Sequence, residues 1–164
     1  MKPFILLITI TLIVTGYLKL VHGKYNFTLA ARIGFSAMLL FTALGHFMFT
    51  EGMAMMVPDF LPYKKELVFF TGIIEIFGAI GLHLPRFRKV TGYLLILFFI
   101  LILPANVKAA FEQIDYQAAN HNGSGLTYLW FRVPLQFLFI IWVYFSSIKF
   151  EKRNKPSTRI INVV

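Results

Sequence analysis

Residues Thr71 to Pro85 read TGIIEIFGAIGLHLP, an almost unbroken run of apolar residues and glycine with one carboxylate, Glu75, in its middle. No residue nearby in sequence can neutralise that acid. A lone charge at mid-bilayer costs from about 2.5 to well over 10 kcal/mol. Reading the stretch as a membrane helix therefore demands a partner for Glu75 on another element.

The rest of the chain supports the membrane reading. Of its 164 residues 58% are hydrophobic and 17% aromatic, while only 14% are charged, and the mean hydropathy is +0.72. Soluble domains carry about 25% charged residues, so too little polar surface is present to cover a water-soluble globule. The net charge of +9 lies between the apolar runs rather than in a patch with exposed aromatics. It reads as orientation and contact with anionic lipid headgroups, not as nucleic-acid binding. With no cysteine present, disulfide exchange, iron–sulfur ligation and covalent c-type haem attachment are excluded.

Five apolar segments stand out: Pro3 to Leu20, Leu29 to Phe49, Leu67 to Leu84, Val90 to Val107 and Thr127 to Ile148. Each is long enough to cross a hydrocarbon core of about 30 Å as a helix, and helices satisfy their own backbone in lipid. The fold class is all-α: a polytopic membrane bundle of five transmembrane helices in one domain over 1–150, followed by a basic tail over 151–164. The first segment lacks a convincing small-x-small cleavage site and is read as a span, not a signal peptide. Eleven of the 16 Lys and Arg residues fall on one side of this arrangement and Lys2, Lys64, Lys65 and Lys108 on the other, with Arg132 inside the last span. Positive charge accumulates on the cytoplasmic side, which gives N-out and C-in and makes the tail cytoplasmic. The loop Thr50 to Glu66 is apolar enough to dip beneath the outer interface, whereas Lys108 to Leu126 reads as a flexible, exposed loop.

Direction fixes depth. Glu75 lies roughly 12 Å below the outer surface, Arg132 roughly 8 Å, Gln136 roughly 14 Å and His46 within roughly 5 Å. Asn106 follows Pro104 near the outer end of span four. The outer half thus collects polar groups and the inner half holds almost none. Arg132 is the expected partner of Glu75 in a charge-assisted pair, with His46, Asn106 and Gln136 filling the remaining hydrogen-bond positions. Thr71, Glu75, Gly78 and Ala79 share one helix face, and such small faces let membrane helices approach closely. Pro104 and Pro134 free the carbonyls of Ile100 and Trp130, which bends two helices beside the polar groups. His46 and Glu75 are candidate proton-handling residues, but together they fall short of a metal site, so no metal is expected. No phosphate loop, nucleophile elbow or HExxH helix is present.

The pieces GHFMF (Gly45 to Phe49), PDFLP (Pro58 to Pro62), the opening stretch, LPAN (Leu103 to Asn106) and RVPLQ (Arg132 to Gln136) occur in this order. In them the chain resembles the DoxX-like family of small bacterial integral membrane proteins. That resemblance implies a four-helix core over about Ala31 to Ile148, with the first span outside it, in the bacterial cytoplasmic (inner) membrane. It also implies an association with quinol or quinone oxidoreductases, and places His46, Glu75, Asn106, Arg132 and Gln136 at the family's recurrent polar positions. The expected function is an outer-leaflet pocket for a quinone or other small amphiphile, lined by those five residues and Thr71. The chain would then be an auxiliary subunit of a membrane oxidoreductase rather than an independent enzyme. A scaffold or assembly factor, with a purely structural Glu75–Arg132 pair, is the alternative, and a small-solute transporter the third reading. Expected partners are membrane lipids, a membrane or periplasmic oxidoreductase, or a second copy of the chain.

Overall fold

Gly23 and Asn26 set the first boundary of the bundle. Helix α1 (Lys2–His22) stops where Gly23 takes a φ of 65° and its N–H returns to the carbonyl of Lys19 at 2.9 Å, the usual way a left-handed residue closes a helix. Helix α2 (Phe27–Met48) starts four residues later, with the Asn26 side chain accepting the free N–H of Leu29, as an N-cap does. The computed structural model describes residues 2–149. Among them follow α3 (Thr50–Met56), α4 (Lys64–Gly81), α5 (Arg88–Leu101), α6 (Leu103–Phe111) and α7 (Leu126–Val143), which ends in a π-helical turn over Tyr144–Lys149. The expected tail over 151–164 lies outside the described residues.

The all-helical class holds, but the helix count does not. Helices α5 and α6 join into one rod (Arg88–Phe111), and α7 joins its π turn (Leu126–Lys149). The described chain is therefore six continuous helices rather than five. Four of them, α1, α2 and the two joined rods, are long and apolar enough to cross a membrane. Helix α4, expected as the third span over Leu67 to Leu84, starts earlier and holds Lys64, Lys65, Glu66 and Glu75 within its 18 residues, so it lacks an apolar stretch of spanning length. The sixth helix, α3, is the short segment that follows α2 after a break at Phe49.

Small residues bring these rods together. A Cβ on Gly34 of α2 would overlap Thr11 Oγ1 and sit 2.9 Å from the carbonyl oxygen of Leu7 on α1. A Cβ on Gly72 of α4 would sit 3.0 Å from the Cβ of His46. Without water to drive association, such close backbone approach supplies the van der Waals contact that holds membrane helices. Between the rods Phe35 meets Phe99 and Phe139 edge-on at 6.0 Å, amid Leu7, Met38, Leu39, Leu82, Leu95 and Val143.

A second, smaller core caps one end of the bundle. Met56 of α3, Ala109 of α6 and Ile114 pack together beneath Met55, Tyr116 and Tyr128. The segment after Phe111 is consequently not a plain exposed loop. It folds back through paired backbone bonds between Asp115 and Asn120 and presses on α3 so tightly that a Cβ on Gly52 would overlap the Tyr116 carbonyl. Asp59 fastens the intervening turn: its exposed carboxylate takes Lys108 Nζ at 2.7 Å and Lys64 Nζ at 2.6 Å. These hydrogen bonds, that from Lys108 first, hold its pKa down at about 2. A depressed carboxylate stabilises the fold above its ordinary range and loses that effect as pH falls toward the folded value, so the clasp stays closed throughout the neutral range.

Gly34→Ala should separate α1 from α2 and lower the melting temperature in detergent, at a cost of about 1–3 kcal/mol typical of overpacking. An unchanged melt would contradict the close approach.

Candidate functional site

Two polar groups sit beneath the cap, each built on residues one helical turn apart. On α2, Thr42 and His46 share a face, as do Thr71 and Glu75 on α4 and Tyr128, Arg132 and Gln136 on α7. Asn106 of α6 stands opposite the last set. Its position follows from the break at Ile102, where Pro104 prevents α5 from running on unbroken.

Asn106, 2% exposed, organises the first group. Its Oδ1 accepts the Tyr128 hydroxyl at 3.1 Å and Arg132 Nε at 3.3 Å, and its Nδ2 donates to Gln136 Oε1 at 3.4 Å. The Gln136 amide in turn donates to the carbonyl of Phe99, which lies in the last turn of α5, where carbonyls lack partners within the helix. The sequence reading expected the Ile100 carbonyl to be freed there; the polar side chain reaches its neighbour instead.

The second group centres on Glu75, 4% exposed. Glu75 Oε2 faces His46 Nε2 at 3.5 Å and has no hydrogen-bond partner. The other imidazole nitrogen, Nδ1, meets Thr71 Oγ1 at 3.1 Å, and the Thr71 hydroxyl donates to the Val68 carbonyl at 2.8 Å. Thr42 lies beside the same carboxyl while donating its own proton to the carbonyls of Met38 and Leu39.

The expected direct Glu75–Arg132 pair is not formed: among the described residues Glu75 has only His46 as an ion-pair partner within 4.0 Å. Arg132 is turned toward α6 by its bond to Asn106, although its charge acts on both Glu75 and His46. The structure thus joins His46, Thr71 and Glu75 in one group and Asn106, Arg132 and Gln136 in another, with the arginine's field between them. Tyr128 was missed by the sequence reading, yet its spacing of four from Arg132 and eight from Gln136 marks it. The notion of a polar-poor opposite half also fails. Ser36 donates to the Ala79 carbonyl and meets His83 Nε2, both at 3.0 Å, and Ser146 and Ser147 are buried in the π turn.

Two surface cavities among the described residues are lined by other side chains. One is a cleft of about 580 Å³ between Phe60 and Val107, and the other, of about 270 Å³, lies between Phe27 and Trp142. Arg132 and Tyr128 are the part-exposed members of the first group, so a polar ligand would approach from their side.

The chain belongs to the family described as a domain of unknown function (DUF8561), whose model matches residues 35–147. This overturns the DoxX-like resemblance, although all five motifs that carried it fall inside the matched stretch. Short runs of glycine, proline and aliphatic residues recur wherever membrane helices pack closely, and so they discriminate poorly between families. No curated protein and no solved structure matches the chain.

Asn106→Ala should strand the Tyr128 hydroxyl, Arg132 Nε and the Gln136 amide together, lowering stability by about 1–3 kcal/mol. Tyr128→Phe, which removes one donor, should cost less. Equal losses in thermal melts would show that Asn106 is not the hub.

Proposed function

We propose that this member of the family is an integral membrane protein of the bacterial cytoplasmic membrane that binds a small amphiphile beneath its cap. We place α4 across the bilayer as a fifth, less apolar crossing packed against α2, with the N-terminus of α1 outside and the basic C-terminus inside, on the strength of the eleven-to-four bias in Lys and Arg. The cap over α3 and residues 112–125 then faces outward, and the ligand's tail shares the outer leaflet with the lipid-facing helices.

One observation carries the reading: a carboxyl group 4% exposed keeps an oxygen without a hydrogen bond, within the field of a part-exposed arginine. Native interiors rarely leave a buried polar atom unpaired, and exceptions concentrate at functional sites. Arg132 offers donors to a carbonyl or anionic head, while Glu75 and His46 accept or give a proton. A quinone is one amphiphile that fits such a set. A purely structural role for the polar groups is the second reading. It is favoured by the inter-helix bonds Asn106–Gln136 and His46–Thr71, which knit α6 to α7 and α2 to α4.

The two readings separate on Arg132→Gln. Purified in native lipid nanodiscs and extracted for mass spectrometry, the wild-type chain should carry one enriched amphiphile. The variant should retain at least about tenfold less of it, the loss expected when a charged hydrogen bond of about 1.4 kcal/mol or more is removed. Equal retention, or a lowered melting temperature with no bound molecule in either sample, favours the structural role.

A further inference from the structure

The Thr71 hydroxyl has one hydrogen, which it gives to the Val68 carbonyl, so toward His46 Nδ1 it can only accept. Nδ1 therefore carries the imidazole hydrogen. In the neutral ring Nε2 is then a bare lone pair, and it faces Glu75 Oε2 at 3.5 Å. That oxygen has no other partner. Two acceptors face each other in a largely buried contact, and a single proton between them would turn repulsion into a hydrogen bond. With the proton absent, the carboxylate is offset by Arg132, whose charge reaches both residues.

Arg132 has unused capacity. Its Nε serves Asn106, and among the described residues no hydrogen bond or ion pair engages its two terminal nitrogens. A guanidinium with open terminal N–H groups is suited to an oxyanion. An anion seated there, however, would consume the charge that balances Glu75 and place two negative groups together away from water, which is strongly unfavourable. The remaining charged groups on the packed elements are held or placed elsewhere: Arg32 of α2 donates to the Thr28 carbonyl, Lys64 of α4 holds Asp59, and Glu66 lies in the first turn of α4. Lys108 of α6 holds Asp59 and Glu112, Glu51 of α3 holds Lys65, the Tyr128 hydroxyl is bound to Asn106, and Arg88 and Lys89 stand at the opposite end of α5.

We propose that the site takes up an amphiphile with an anionic head and one proton together, the anion on Arg132 and the proton between His46 Nε2 and Glu75 Oε2. This rests on the amphiphile-binding reading above and specifies its ligand class. The charges balance in both states: arginine against carboxylate when empty, and arginine against ligand with the His46–Glu75 pair protonated when filled.

The test uses the chain in nanodiscs of zwitterionic lipid and two probes of equal tail length, octyl sulfonate, whose charge does not change near neutral pH, and octanol. Calorimetry in buffers of different ionisation enthalpy, begun at a pH alkaline enough to leave the empty site unprotonated, should count about one proton taken up per sulfonate, with affinity rising roughly tenfold for each unit that pH falls from there. Octanol binding should be independent of pH. Glu75→Gln mimics the protonated acid, so at that alkaline pH it should bind sulfonate more tightly than the wild-type chain, with no proton uptake. A wild-type sulfonate isotherm that does not vary with pH overturns the coupling while leaving amphiphile binding intact, as does unchanged proton uptake in Glu75→Gln. Failure of both probes to bind the wild-type chain overturns the site itself. The wild-type proton count decides the matter even if the variant does not fold.

Discussion

The contact between Glu75 on α4 and His46 on α2 constrains much of the surrounding structure. A carboxyl group removed from water must be neutralised, paired or strongly solvated by fixed dipoles, and here an imidazole at 3.5 Å is the nearest ionisable group. For the two side chains to meet, α2 and α4 must cross closely, which is where Gly72 brings the α4 backbone against the Cβ of His46. Thr71 fixes the ring by holding its far nitrogen. The same closeness keeps Ala79 of α4 within reach of Ser36 further along α2. One acid thus sets the spacing of a helix pair over most of its length.

Arg132 enters this arrangement as a field rather than as a hand. Its orientation is decided by Asn106, which the break at Ile102 and Pro104 delivers to the α7 side of the bundle. The break also leaves the Phe99 carbonyl without a helical partner, and Gln136 supplies one. The helix interruption and the polar ladder on α7 therefore explain each other. The cap closes over both, since Tyr128 belongs at once to the ladder and to the small core of Met56, Ala109 and Ile114.

Much of this is legible in the residues alone, and the parts that are not have identifiable causes. Apolar length and charge content reveal an all-helical membrane chain, but Lys64, Lys65 and Glu66 extend α4 at its polar end, which an apolar window trims away. The rule that opposite charges pair points Glu75 at Arg132. What it omits is competition: Asn106 binds the arginine first, and a histidine on a closer helix stands nearer the acid. Tyr128 escapes notice because a tyrosine near the end of an apolar run resembles an interfacial anchor, while its four-residue spacing from Arg132 is the better signal. The fold of residues 112–125 depends on contacts with α3, far away in sequence, and nothing local to His-Asn-Gly-Ser-Gly announces them. Family membership is the clearest lesson: the short motifs report the demands of helix packing more than they report ancestry.

The most direct measurement of the central claim is solid-state NMR of His46 in lipid bilayers, with labelled imidazole nitrogens and side-chain carboxyl carbons. If the carboxyl of Glu75 faces the bare nitrogen of a ring held by Thr71, neutral His46 will show its proton on Nδ1, and Nε2 will correlate with the Glu75 carboxyl. A proton on Nε2 in the neutral ring, or a Glu75 carboxyl that correlates with the Arg132 guanidinium and not with His46, would contradict the account.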